Sequence, residues 1–147
     1  MSLFSSEKYI AFDVGDRRIG VAVSSTGIIA DAVGYIQRDP NNFKKDIDAV
    51  KDYINKYNAT IIVMGLPKNM NGTVGPQGEK VLAFSKKVEE AIPDCNIVFW
   101  DERLTTVAAT NTLIEGGVRR SDRKTKVDKV AAALILQSYL DYNSMRH

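Results

Sequence analysis

Carboxylates stand at three places in the chain where an apolar stretch begins or ends. Asp13 follows the run YIAF, Asp101 and Glu102 follow NIVFW, and Asp128 precedes the apolar part of the last helix. Carboxylates that meet repel one another unless a proton or a cation lies between them. The chain has one Cys and one His, so the fitting cation is hard and oxygen-loving, Mg²⁺ or Mn²⁺. Two such ions about 3.5–4 Å apart can clamp the attacking and leaving oxygens of a phosphodiester.

The hydrophobic pattern predicts the elements that position these acids. Apolar runs joined by short turns predict three antiparallel strands, at 9–14, 19–25 and 28–36. Apolar residues at helical spacing and further short apolar runs then predict helix 43–57, strand 60–65, a loop over 66–78, helix 81–91 and strand 96–100. Another helical stretch is expected at 105–115, before a last helix with apolar residues from 127 to 139.

The resulting order is β-β-β-α-β-α-β-α, an α/β fold. Strands separated by helices run parallel, so the first strand and the last two deliver their carboxyl ends to one edge of the sheet. Open α/β sheets place their sites at that edge. We therefore expect Asp13, the Asp101–Glu102 pair and Asp128 to meet there.

Length and composition indicate an ordinary globular domain. The 147 residues suit one domain, 1–147, with 44% hydrophobic and 26% charged residues. The net charge of +2 is too small to indicate a partner by itself. Cys95 has no partner for a disulfide, and no segment reads as a signal peptide or a membrane span. We expect a cytoplasmic protein that makes no use of a membrane.

Each acid also has a structural interpretation. Asp13 could cap a turn, Asp101 could cap a helix that starts near Leu104, and Asp128 could complement a helix dipole. Spacing alone therefore leads to a metal-binding α/β domain and no further.

Four segments add a family resemblance. FDVGDRRIGVAVS, VMGLPKNMNGTVGPQ, FWDERLTTVAA and VDKVAAALILQSYLD resemble, in this order, the motif blocks of the YqgF family, also called RuvX. The resemblance implies a ribonuclease H-like fold, with a five-stranded mixed sheet of order 3-2-1-4-5 flanked by helices. It also implies a two-metal-ion endonuclease whose catalytic and metal-binding acids are Asp13, Glu102 and Asp128. Glu102 rather than Asp101 is selected by the resemblance.

Basic and polar residues near the same edge are the predicted nucleic-acid contacts. The segment RRSDRKTKVDK has six basic residues against two acidic ones. Strand alternation sends neighbouring arginines after the first strand to opposite faces. The predicted contacts are Arg17, Arg18, Lys68, Asn69, Arg119, Arg120, Arg123 and Lys124.

The functions that remain open belong to three classes. The leading one is a nuclease for structured nucleic acid, acting on the 5′ end of pre-16S rRNA, with a ribosome precursor as partner, or on a Holliday junction. The second is a noncatalytic RNA- or ribosome-binding module that keeps a vestigial acidic site. The third is an actin- or sugar-kinase-like nucleotide binder, although such proteins pair two domains and this length provides one. The protein is expected to be a monomer or a homodimer.

Overall fold

The computed structural model describes residues 7–104 and 120–145, with the side chains of residues 120–129 excepted. Its strands are β1 (Tyr9–Val14), β2 (Arg18–Ser24), β3 (Asp31–Gln37), β4 (Ile61–Leu66) and β5 (Asn96–Asp101). Its helices are α1 (Phe43–Tyr57), α2 (Pro76–Ala91) and α3 (Arg120–Met145), and a 3₁₀ turn, Glu102–Leu104, follows β5. The helix predicted at 105–115 lies outside the described residues.

The five strands form one mixed sheet in the order β3-β2-β1-β4-β5. β1, β2 and β3 pair antiparallel, whereas β4 pairs parallel to both β1 and β5. This arrangement confirms the predicted ribonuclease H-like topology. It also sets the carboxyl ends of β1, β4 and β5 side by side.

Strands β1 and β2 bury side chains on both faces of the sheet. Ile10 and Phe12 of β1 are fully buried in the core under α1 and α2. Ala11 of the same strand and Ala22 of β2 are fully buried against α3. The alternation along β1 thus places helices on both sides of the strand that carries Asp13.

Helix α1 begins and ends as its sequence predicts. Asn42 caps its start, because Oδ1 accepts a hydrogen bond from the backbone N–H of Lys45 at 3.2 Å. Asn58 ends it in the left-handed region with φ of 53°. The apolar side, with Val50 fully buried, packs on the sheet.

Strand β3 begins later than predicted. The expected strand 28–36 starts only at Asp31, and the side chains of Ile28 and Ile29 are 58% and 62% exposed. The backbone N–H groups of both residues donate to Thr26 Oγ1 instead of to a neighbouring strand. Gln137 of α3 then accepts from the N–H of Ala30 and donates to the carbonyl of Ile28. Side chains therefore take up the hydrogen bonds that a strand ladder would have made.

The loop after β4 is shorter than predicted. The sequence predicted a connection over 66–78, yet α2 already starts at Pro76. Proline suits the first turn of a helix because its missing N–H would have no helical partner there.

None of the helices among the described residues combines the length and the apolar character that a membrane span requires.

Candidate active site

The carboxyl ends of three parallel strands bring two of the predicted acids together. Asp13 lies near the end of β1, where it pairs with Gly20 of β2. On the other side of β4, Asp101 ends β5, and Glu102 opens the 3₁₀ turn that follows. The side chains of Asp13 and Glu102 meet across β4 and share a hydrogen bond.

This contact changes the acidity of Glu102. Burial raises its pKa most, followed by the hydrogen bond with Asp13 and by repulsion from the charges of Asp13 and Asp101. Together they raise the pKa of Glu102 to about 9. In the metal-free protein at neutral pH, a pKa of about 9 leaves a proton on Glu102. A divalent cation is the other species that can hold two such carboxylates together.

Gly65 of β4 provides the space in which Glu102 lies. A Cβ at this position would stand 2.6 Å from Glu102 Oε1 and 2.8 Å from its Cγ. It would also stand 2.6 Å from Cδ1 of Ile135 in α3. Any larger residue would push the carboxyl group away from Asp13. We did not predict this role, although a glycine inside a buried apolar strand signals that another group approaches closely.

Asp101 is turned away from Asp13 by Arg103. Its carboxylate accepts from Nη2 of Arg103 at 2.6 Å and from Nε at 2.9 Å and 3.1 Å. The hydrogen bond from Arg103 is the main reason why the pKa of Asp101 is lowered. The structure thus brings Glu102, and not Asp101, to Asp13.

The guanidinium group of Arg103 also holds the loop between β4 and α2. Its Nη1 donates to the carbonyl oxygens of Asn69 and Met70, each at 3.2 Å. Within that loop, the backbone N–H of Asn69 donates to the carbonyl of Thr73, and its side-chain nitrogen donates to Thr73 Oγ1 at 3.0 Å. Asn69, a predicted nucleic-acid contact, therefore also builds the loop. This clamp to the end of β5 could not be predicted from the sequence.

The predicted phosphate contacts Arg17, Arg18 and Lys68 lie around this edge in different settings. Arg17 is exposed, whereas Arg18 is half-buried with its guanidinium 5.7 Å from the ring centre of Tyr35. Lys68 is half-buried, and its positive charge helps to lower the pKa of Asp101. Because β2 begins only at Arg18, Arg17 lies in the turn before it, and the alternation expected for two neighbouring strand residues does not apply to this pair.

Gly15 closes the turn between Asp13 and the arginines. Its backbone N–H donates to the carbonyl of Arg18 at 2.9 Å. A Cβ on Gly15 would stand 2.9 Å from that same oxygen, so a side chain there would strain the turn.

The third acid and most of the basic segment remain predictions. The backbone of α3 includes Asp128, Arg120, Arg123 and Lys124, but their side chains lie outside the described residues, as does Arg119 altogether. Among the residues whose side chains are described, no three Asp, Glu, His or Cys residues are grouped to hold a metal ion. The described part of the site is thus the pair Asp13–Glu102.

Comparisons with known proteins agree with this architecture. The sequence model of RuvX, described as "Holliday junction resolvase", matches residues 7–142. A relative from Thermoanaerobacter pseudethanolicus named "Putative pre-16S rRNA nuclease" is 50% identical over 136 residues, which cover 91% of this chain and 96% of that protein.

Two solved structures share the fold. RuvC from T. thermophilus, in complex with a Holliday junction substrate, is 11% identical, with a TM-score of 0.61 over 95% of this chain and 96% of its own. The yeast mitochondrial Holliday junction resolvase Ydc2 is 12% identical, with a TM-score of 0.61 over 97% of this chain and 81% of its own.

Proposed function

The chain belongs to the RuvX family, and from that premise we propose that it is a nuclease that hydrolyses phosphodiester bonds in structured nucleic acid. The observation that carries the proposal is the contact between Asp13 and Glu102 at the carboxyl edge of the sheet. The burial that raises the pKa of Glu102 costs the folded protein stability at neutral pH, so a role in binding accounts for this carboxyl group better than a role in folding.

The residues present fit a divalent cation. Asp13 and Glu102 offer hard oxygen ligands at one point, which suits Mg²⁺ or Mn²⁺. Asp128 is the third proposed ligand. It precedes Ala132 and Ile135 by four and seven positions, a spacing that puts all three on one side of a helix, and Ile135 approaches Gly65 beside Glu102. When bound, two such ions supply activation of water and neutralisation of the leaving oxygen.

The acids of the chain have distinct tasks in this scheme. Glu102 would hold a cation as the ionised carboxylate, its proton passing to solvent, and Gly65 leaves the space for that carboxylate next to Asp13. Arg103 forms an ion pair with Asp101 and offsets its charge, so that Asp13 and Glu102 are the two acids left to bind a cation.

Positive and polar residues around the edge are proposed to bind the phosphate backbone. Arg17 stands in the β1–β2 turn, Arg18 begins β2, and Lys68 and Asn69 belong to the loop after β4. The basic segment adds the remaining proposed contacts, Arg119, Arg120, Arg123 and Lys124. Such contacts position a strand without reading its sequence.

Two substrates fit the proposal. The name of the T. pseudethanolicus relative favours pre-16S rRNA. We propose its 5′ end as the place of cleavage and a ribosome precursor as the partner. The family description favours a four-way DNA junction. Both are structured nucleic acids with a phosphodiester to cut.

A cleavage panel tests this function. A four-way DNA junction, duplex DNA, single-stranded RNA and a precursor 16S 5′ segment are incubated with Mg²⁺, Mn²⁺ or chelator. We expect cleavage of the junction or the precursor with either metal and none with chelator. Glu102→Gln should reduce cleavage at least about 100-fold, whereas Asp101→Asn should keep substantial activity. Binding without metal-dependent cleavage of any substrate would support a noncatalytic module instead.

A further inference from the structure

A cavity of about 440 Å³ lies between the β1–β2 turn, the start of α1 and the exposed side of α2. Its wall includes Asp16, which belongs to the turn that follows Asp13. The volume is in the range of small-ligand sites. The roles assigned above to the acid pair and to the phosphate contacts make no use of this cavity.

One side of the cavity is aromatic. The rings of Phe43 and Phe84 pack edge to face, with their centres 5.6 Å apart. Phe84 is buried, but Phe43 is 42% exposed, and Ala83 and Pro40 extend the apolar surface beside it. An exposed aromatic ring in a concave wall offers a stacking surface for a planar group.

Arg38 is fixed in this wall and keeps donors available. Its Nε donates to Asp46 at 3.1 Å, its Nη1 donates to the carbonyl of Gly15 at 2.8 Å, and its guanidinium lies 5.0 Å from the ring centre of Phe84. Asp46 is 2% exposed and also accepts from the N–H of Asp39. Nη2 of Arg38 makes no hydrogen bond with any residue that the structure describes. A ligand in the cavity can therefore accept from it.

The charges of the wall indicate what kind of ligand fits. Three basic residues are balanced by three acidic ones: Arg38, Lys80, Lys87, Asp16, Asp39 and Asp46. Lys80 and Asp16 pair with each other at 3.2 Å. A balanced wall has no net attraction for a phosphate. It offers donors and acceptors around an apolar surface, which matches a neutral planar ring with both kinds of polar group on its edge.

We infer that this cavity binds a nucleobase, stacked against Phe43, from an unpaired nucleotide of the bound strand. The cavity opens on the α1 and α2 side of the sheet and the acid pair lies on the α3 side, so the strand passes over the β1–β2 turn, to which Asp16 belongs, between the two. The inference rests on the proposed function for the presence of that strand. Proteins that bind unpaired nucleic acid commonly stack bases on aromatic side chains, and this stacking tolerates any base. The site therefore selects for an unpaired nucleotide near the cut and not for a sequence.

Binding of a labelled single-stranded RNA, measured by fluorescence anisotropy in chelator, tests the inference. Phe43→Ala removes the stacking surface, and Ala83→Leu fills the cavity from an exposed helical position. Phe99→Ala is the matched control, since Phe99 is 37% exposed on β5 and does not line the cavity. We expect the two cavity variants to bind at least about five-fold more weakly than the parent, and the control to bind like the parent.

An abasic RNA of the same length separates base recognition from backbone recognition. The parent should bind the abasic strand more weakly than the intact one. Phe43→Ala should bind the abasic strand as well as the parent does, because no base is there to stack. Competition by nucleoside monophosphates would show that the site also takes a free nucleotide, and no competition would restrict it to a base within a strand. Two results would show that the cavity binds no base. In the first, Phe43→Ala and Ala83→Leu bind the intact RNA as well as Phe99→Ala does. In the second, the two cavity variants lose as much affinity for the abasic RNA as for the intact RNA. Thermal unfolding of each variant confirms that it is folded.

The two proposals can fail separately. Metal-dependent cleavage with unaltered binding by the cavity variants would overturn the inference and leave the nuclease standing. Base-dependent binding without cleavage of any substrate would support the base site and contradict the nuclease.

Discussion

Asp13 and Glu102 share a hydrogen bond across β4 although one belongs to the first strand and the other follows the last. The contact is possible because Gly65, on the strand between them, has no side chain. A core position has thus been left empty to place two acids together, which is costly for the folded state and useful for binding a cation.

Gly65→Ala should displace the carboxyl group of Glu102. The added Cβ would overlap Oε1 and Cγ, so we expect at least a ten-fold loss of Mg²⁺-dependent cleavage, with a loss of stability of about 1–3 kcal/mol. Gly34→Ala, on β3, is the control. Its Cβ would meet the Tyr53 hydroxyl at 2.7 Å, a similar overlap that does not involve Glu102. Equal activity in the two variants would show that the position of Glu102 does not matter.

The metal-free protein should lose stability as the pH rises. Because the pKa of Glu102 is about 9 in the folded protein and about 4.3 in an unfolded chain, the folded state binds its proton more tightly. This stabilising contribution is complete below about pH 4.3, falls as the pH rises, and is gone above about pH 9. Chemical unfolding with chelator at several pH values should show a decline from pH 5 to 9 that is weaker in Glu102→Gln. The same decline in both proteins would contradict the raised pKa.

Arg103 should order the loop after β4 more than it stabilises the protein. An exposed ion pair contributes about 0–1 kcal/mol, so Arg103→Gln should change the free energy of unfolding little. Amide hydrogen exchange over residues 69–73 should become faster, because the donors to the carbonyls of Asn69 and Met70 are lost. Lys87→Gln removes a surface ion pair elsewhere and should leave this exchange unchanged.

The basic segment should account for part of the salt dependence of nucleic-acid binding. Replacing Arg119, Arg120 and Arg123 by Ala should weaken binding and lower the slope of log K against log salt by about one unit for each lost phosphate contact on duplex DNA. Unchanged affinity and slope would show that the segment is merely a solvated surface.

The topology could be predicted because it depends on patterns that local sequence carries. The buried run at Tyr9–Val14 and the spacing of Ile47, Val50 and Ile54 determine a strand and a helix almost independently of the rest of the chain. The start of β3 was predicted wrongly, because Gln137, far away in α3, supplies the hydrogen bonds that keep residues 28–30 out of the sheet.

The sequence predicted which acids belong to the site but not the neighbouring residues that hold them in place. Acids are common at strand ends, so Asp13 and Glu102 could be named only because the family motifs select them. Gly65 and the clamp made by Arg103 depend on which side chains face each other across β4 and β5, and spacing along the chain does not carry that information.

Thermal unfolding across a Mg²⁺ titration at constant ionic strength tests most directly whether the acid pair binds a cation. A ligand that binds only the folded form stabilises it by about 2.7 kcal/mol at a hundred-fold excess over Kd. The parent should be stabilised by Mg²⁺, Asp13→Asn distinctly less, and Asp16→Asn, which removes an exposed acid of the next turn, as much as the parent. Equal stabilisation of Asp13→Asn and the parent would remove Asp13 from the metal site and contradict the proposed nuclease mechanism.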